Sequence, residues 1–223
     1  MAISERPDIT DDSIPSKWDG QRMTLEEYLA LPEQKPSLEY VDGVVRQKVA
    51  AKRVHGSLQA YLATVLNQVA WVGELGMAHT DTRFVTEGRA LAPDVSFYRS
   101  GRAEGVDSAG RVPEDFIVPP DIAVEIKSPG QTVTAQLEKC ARYQALGVPI
   151  TLFIHPEERA VFELRPGQPL RVLQGDDRIN LDEVLPGFQV ALNEMFDSVA
   201  PAWFSRPTAQ ERATPDPESE AAD

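Results

Sequence analysis

The stretch that decides the fold is Asp121-Ile122-Ala123-Val124-Glu125-Ile126-Lys127. Side chains alternate across a β-strand, so Ile122, Val124 and Ile126 form one apolar face. Asp121, Ala123, Glu125 and Lys127 then share the opposite face, with a carboxylate and an ammonium two residues apart. A second strand reads Pro93-Asp94-Val95-Ser96-Phe97-Tyr98. There Val95 and Phe97 share one face and Asp94 points to the other with Ser96 and Tyr98. If these two strands are neighbours, Asp94 and Glu125 converge.

Outward from this pair the pattern is mixed. Thr24 followed by Glu27 is a capping-box signal, which predicts a helix over Leu25 to Leu31, ending at Pro32. Leu38 to Val41 and Val44-Val45 flank Asp42-Gly43 and predict a hairpin. Leu58, Tyr61, Leu62, Val65, Leu66 and Val69 recur at steps of three and four, the mark of a long amphipathic helix. Ala78 to Thr86 reads as one strand, joined to Asp94–Tyr98 through a turn at Gly88. A helix over 132–146 stops at Gly147, and 149–154 with 159–164 make another hairpin. A short strand near 170–173 and a helix near Leu192 complete the domain. The expected fold is α/β (α+β mixed), a mixed central sheet flanked by helices.

The ends are different in kind. Residues 1–20 mix Pro, Asp and Ser without periodicity and read as a disordered leader; 206–223 read as a disordered acidic tail. The ordered domain is expected over 21–205. The net charge is −13. Each end contributes −3, which leaves −7 for the middle. Strong non-specific affinity for nucleic acid from charge alone is therefore not expected, and a carboxylate site that recruits divalent metal is compatible with this balance. The lone cysteine, Cys140, excludes an internal disulfide and argues against a Cys-built zinc site. Neither a membrane span nor a secretory signal is legible, so a cytoplasmic location is expected.

Clustered carboxylates hold Mg²⁺ or Mn²⁺ through hard oxygen ligands. Such an ion lowers the pKa of a bound water and offsets charge developing on a phosphate. A neighbouring ammonium serves the same charge. Taken singly, however, Glu-x-Lys in a strand is commonly a solvated ion pair and Pro-Asp a turn.

The series in order is more specific than its pieces. Leu38-Glu39-Tyr40-Val41-Asp42-Gly43, then His55, Pro93-Asp94-Val95, Pro120 to Pro129, and Lys139, Tyr143 and Gly147-Val148-Pro149 resemble the Uma-type restriction endonuclease family. That family is a branch of the PD-(D/E)xK nuclease superfamily, and the resemblance covers roughly Met23 to Phe196. It implies a restriction endonuclease-like core with Asp94, Glu125 and Lys127 as the catalytic set. Asp94 and Glu125 would be metal ligands and Glu39 a third. Family members often lack the lysine, so its presence at 127 favours activity. His55, Lys139 and Tyr143 are expected in supporting roles, since Lys139 and Tyr143 lie one turn apart on a helix. The chain departs from the family near Ala135, at Thr151-Leu152 and at His155, which touches helix docking and the second hairpin.

The implied activity is metal-dependent endonucleolytic hydrolysis of DNA. The alternative is a catalytically silent nuclease fold that binds nucleic acid or another partner. Arg99, Arg102 and Arg111, in the long segment 99–119, are the expected contacts to the substrate backbone. A homodimer is a further expectation, because cutting a duplex requires access to both strands.

Overall fold

The computed structural model describes residues 16–49, 51–102 and 111–199. The leader up to residue 15, the tail and the middle of segment 99–119 lie outside the described residues. Residues 16–20, assigned to the leader by composition, pack against the first hairpin. There the Gly20 N–H donates to Val45 O, and Trp18 packs on its apolar cluster.

A six-stranded mixed sheet forms the centre. Its strands are β3 (Gly76–Thr80), β6 (Val95–Arg99), β7 (Ile122–Ile126), β8 (Ile150–His155), β9 (Ala160–Leu164) and β10 (Arg171–Leu173). The order is β10-β9-β8-β7-β6-β3, with β7 and β8 parallel and the other pairs antiparallel. Parallel neighbours need a crossover, and α3 (Val133–Ala145) supplies it. Thr132 caps α3 by accepting from the Ala135 N–H.

A second sheet, of order β2-β1-β5-β4, joins β1 (Leu38–Val41), β2 (Val44–Gln47), β4 (Phe84–Thr86) and β5 (Arg89–Leu91). Asp42 and Gly43 both adopt positive φ, 52° and 80°, as a two-residue hairpin turn requires. α1 (Leu25–Leu29) covers this sheet and carries the full capping box at Thr24 and Glu27. It ends two residues earlier than expected: Ala30 already caps it, ahead of Pro32. β11 (Arg178–Asn180) and β12 (Gln189–Ala191), a small pair unseen in the sequence pattern, precede α4 (Leu192–Ser198).

The expected strand 78–86 is two strands in two sheets. Asp81, at φ 50°, turns the chain between β3 and β4. That turn matters for the site, because it sends Asp81 toward the buried carboxylates.

The long helix α2 (Arg53–Val72) lies across one face of the central sheet. Leu58, Leu62, Leu66 and Ala70 pack there with Val95, Phe97, Ile122, Val124 and Ile126, as the alternation along 121–127 predicted. α3 covers the other face, where Tyr143 meets Phe84, Leu91 and Ala123. No helix among the described residues is long and apolar enough to cross a membrane.

Gly76 is fixed by close approach. A Cβ there would overlap the Tyr98 carbonyl oxygen and the Phe97 ring, at φ 153°. Gly76→Ala is expected to destabilise the fold by about 2–3 kcal/mol, read from urea unfolding.

Candidate active site

β6 runs antiparallel to β7 with Val95 opposite Val124. The register places Asp94, just before β6, beside the end of β7 that carries Glu125. The Asp94 Oδ2 accepts the Ile126 N–H at 2.8 Å, so the carboxylate is tied to the neighbouring strand. Asp94 and Glu125 are both 3% exposed, which means their charges are settled by neighbours rather than by water.

Asp94 is surrounded by donors. Lys48 Nζ lies 2.9 Å from Oδ1 and also donates to Asp81 Oδ1 at 2.7 Å and Ala92 O at 2.9 Å. His55 Nε2 stands 3.3 Å from Oδ2, while its Nδ1 meets the Ser128 hydroxyl at 3.0 Å. Gln59, one turn after His55 on α2, donates to Asp81 at 2.6 Å and to the Asp94 carbonyl at 2.7 Å. Burial alone would raise the Asp94 pKa; Lys48 and His55 outweigh it and hold the group well below the usual carboxylate range. Lys48 is held above its ordinary value, since Asp94, Glu125 and Glu39 outweigh its burial.

Glu125 is less well served. Tyr143 donates to its Oε1 at 2.6 Å, and Lys139 Nζ sits 3.0 Å from Glu125 and 3.0 Å from Glu39. Glu39 also accepts the Ala92 N–H at 3.0 Å. Burial pushes the Glu125 pKa up to about 7; Lys139 opposes the shift and Asp94 adds to it.

This shift has a stability consequence. Between its ordinary 4.5 and about 7, Glu125 in the folded protein keeps a proton that the unfolded chain has released. The folded state therefore binds more protons, and stability falls as pH rises through that window. In metal-free buffer, thermal melts of Glu125→Gln are expected to lose less stability from pH 5 to 7.5 than the wild type. Parallel pH profiles for the two proteins would contradict this.

The structure brings together Asp94, Glu125, Glu39, His55, Lys139 and Tyr143 from five different elements or their flanks. Lys127 is not among them. β7 ends at Ile126, and the Lys127 ammonium is 2.8 Å from Glu157 in the turn after β8. The backbone pairing of β7 with β8 continues through the Lys127 N–H, which donates to Ile154 O at 2.9 Å, but the ammonium itself rests on Glu157. Lys48 takes part instead, missed because nothing in its immediate neighbours marks it. The hairpin register would have found it. Glu39 lies opposite Arg46, and Lys48, two residues on, shares that face.

The three loop arginines are also elsewhere. Arg99 donates through Nε to Asp121 at 2.8 Å, and Arg102 Nε lies 3.5 Å from the same carboxylate. Asp121 is fully buried, so these cations hold the far end of the β6–β7 pair. Five residues of strand separate Arg99 from Asp94, roughly 16 Å. Arg111 is exposed and lines neither cleft at the site.

Two clefts, of about 990 and 690 Å³, meet at the cluster; Lys48, Val49, His55 and Asp94 line both. Glu39, Glu125 and Lys139 line the smaller one. The donors are hard carboxylate oxygens, the type that suits Mg²⁺ or Mn²⁺. Four carboxylates, Asp94, Glu125, Glu39 and Asp81, face only two ammoniums, a surplus of negative charge that a divalent ion would offset. Among the described residues no three acidic, histidine or cysteine side chains already converge as a metal site. In donor type and charge the set fits such an ion, but the two ammoniums now share the oxygens.

Comparison with known proteins follows the same lines. None of the curated proteins matches the chain. A solved structure described as "a putative nuclease belonging to DUF820 from Anabaena variabilis ATCC 29413" superposes at a TM-score of 0.75 with 26% identity, covering 80% of this chain and 99% of that one. The DrdV–DNA complex matches at a TM-score of 0.38 and 16% identity, over 71% of this chain and 12% of that chain. The Uma2 model, described as "Putative restriction endonuclease", matches residues 25–193, a span that holds every residue of the cluster. The chain belongs to the Uma2 family.

Proposed function

We propose that the protein is a divalent-metal-dependent endonuclease that hydrolyses phosphodiester bonds in DNA. The observation that carries the proposal is the meeting of Asp94 and Glu125, from adjacent strands, in a buried cluster with Lys48 and Lys139. Family membership and the likeness to a solved structure described as "a putative nuclease" support the same reading. Asp94 and Glu125 would hold Mg²⁺ or Mn²⁺, with Glu39 as a further ligand. The ion supplies an activated water and a positive charge for the phosphate.

The chain's own residues do the rest. The Ile126 N–H and His55 fix the Asp94 carboxylate, and Ser128 in turn fixes the His55 ring. Tyr143 holds one oxygen of Glu125 through a short hydrogen bond. Lys139 reaches Glu125 and Glu39 together and is the ammonium best placed to face charge on a bound phosphate. Lys127 is kept by Glu157 and has no part in this reading.

Incubation of purified protein with supercoiled plasmid and Mg²⁺ or Mn²⁺ tests it. Nicking or linearisation that chelation stops is expected. No cleavage of any DNA, together with no Mn²⁺ uptake by calorimetry, would leave a nuclease fold without turnover.

A further inference from the structure

The smaller cleft is lined by Arg22, Arg46 and Arg142 as well as by Glu39, Glu125 and Lys139. These three guanidiniums differ from others in the protein. Arg83, Arg99, Arg159, Arg165 and Arg171 each pair with a carboxylate. Among the described residues, no carboxylate pairs with Arg22, Arg46 or Arg142. The Arg142 Nε is buried without a hydrogen-bond partner in the protein. In a chain of net charge −13, three unpaired arginines around one acidic centre are not a general basic surface. They are a local one.

A second observation comes from Gln136. It lines the same cleft, is 6% exposed, and its Oε1 has no partner in the protein. Gln136 and Lys139 are one turn apart on α3, so both face the cleft. A buried acceptor left unpaired is costly, and the group that satisfies it must be a donor. Phosphate oxygens carry none. A ligand that suits both features has anionic groups for the arginines and N–H or O–H groups for Gln136. A nucleotide chain has both along its length.

We infer that Arg22, Arg46 and Arg142 bind the phosphate backbone of a DNA strand leading to Asp94 and Glu125, and that Gln136 contacts a base or sugar donor of that strand. This rests on the nuclease reading and names the path of its substrate. It replaces the role expected for Arg99 and Arg102, which sit at the opposite end of the strand pair, and for Arg111, which lines neither cleft. Lys48 and Lys139 stand at the acidic centre itself, where the path ends.

The test is fluorescence anisotropy with the full chain, a labelled 20-base-pair duplex and its single strand, in Ca²⁺ and at several salt concentrations. The triple variant Arg22→Gln, Arg46→Gln, Arg142→Gln is expected to bind about 100-fold more weakly. Its log K against log salt slope should be shallower by about 0.9 for each arginine on the duplex. Arg178→Gln, an exposed arginine outside the cleft, should change neither. Gln136→Leu should weaken binding several-fold at an unchanged slope, as an uncharged contact does. Arg22 and Arg46 are exposed, so their double variant keeps the test valid if Arg142→Gln does not fold. Wild-type binding that the triple variant matches in affinity and slope overturns the path and leaves the nuclease reading standing. Wild-type protein that binds no DNA overturns both.

Discussion

Asp94→Ala is expected to reduce DNA cleavage at least about a thousand-fold in kcat/KM, which corresponds to roughly 4 kcal/mol of transition-state stabilisation. Two losses combine. The proposed metal loses a ligand, and the Lys48 ammonium loses the partner at 2.9 Å. The same change should cost stability, because removing one member of a buried ion pair leaves the other uncompensated, at roughly 3 kcal/mol. Asp94→Asn separates the two effects. It keeps an oxygen for the Ile126 N–H, and Lys48 retains Asp81 and the Ala92 carbonyl. Cleavage should fall as far as in Asp94→Ala while the urea midpoint falls much less. An asparagine variant that cleaves at near wild-type rate would remove Asp94 from the chemistry.

The second large effect distinguishes two lysines, one expected in the catalytic set from the sequence and one that the structure sets between Glu125 and Glu39. Lys139→Ala is expected to lower cleavage by about a hundred-fold or more, as loss of a preorganised charge at a developing anion does. It should also cost roughly 3–5 kcal/mol, since Glu125 and Glu39 would then face each other without the shared cation. Lys127→Ala should change the rate by no more than a few-fold, because Lys127 pairs with Glu157, whose side chain is 59% exposed. Single-turnover cleavage of one labelled oligonucleotide by both variants decides the matter. Equal and large losses would return Lys127 to the active centre.

Much of this was legible in the residues, for physical reasons that differ from part to part. The alternation of Ile122, Val124 and Ile126 is forced by the two-residue period of a strand, and those side chains do fill one core face. His55 stands on the same stripe of α2 as Leu62 and Leu66, so its inward position followed from helical spacing. The hairpin at Asp42-Gly43 carried its own register. What failed were inferences that crossed an element boundary. Lys127 lies one residue beyond β7, and its ammonium is taken by Glu157 from the turn after β8, a partner that no strand period announces. Asp81 breaks the strand expected over 78–86 by adopting a positive φ, a conformation that no periodicity announces.

The arginines illustrate a different limit. Segment 99–119 attracted attention by length and charge, but charge in sequence does not show what it faces. Asp121, counted as one of the polar residues on the strand, is buried and claims Arg99 and Arg102 for itself. Arg22, Arg46 and Arg142 come from three separate stretches, and only the folded chain sets them around one cleft.

The measurement closest to the central claim is anomalous scattering from crystals soaked in Mn²⁺. A peak bonded to one carboxylate oxygen of Asp94 and one of Glu125, with Lys48 or Lys139 displaced from its present partner, is the predicted result. Mn²⁺ found only on surface carboxylates, with both lysine pairs intact, would contradict it.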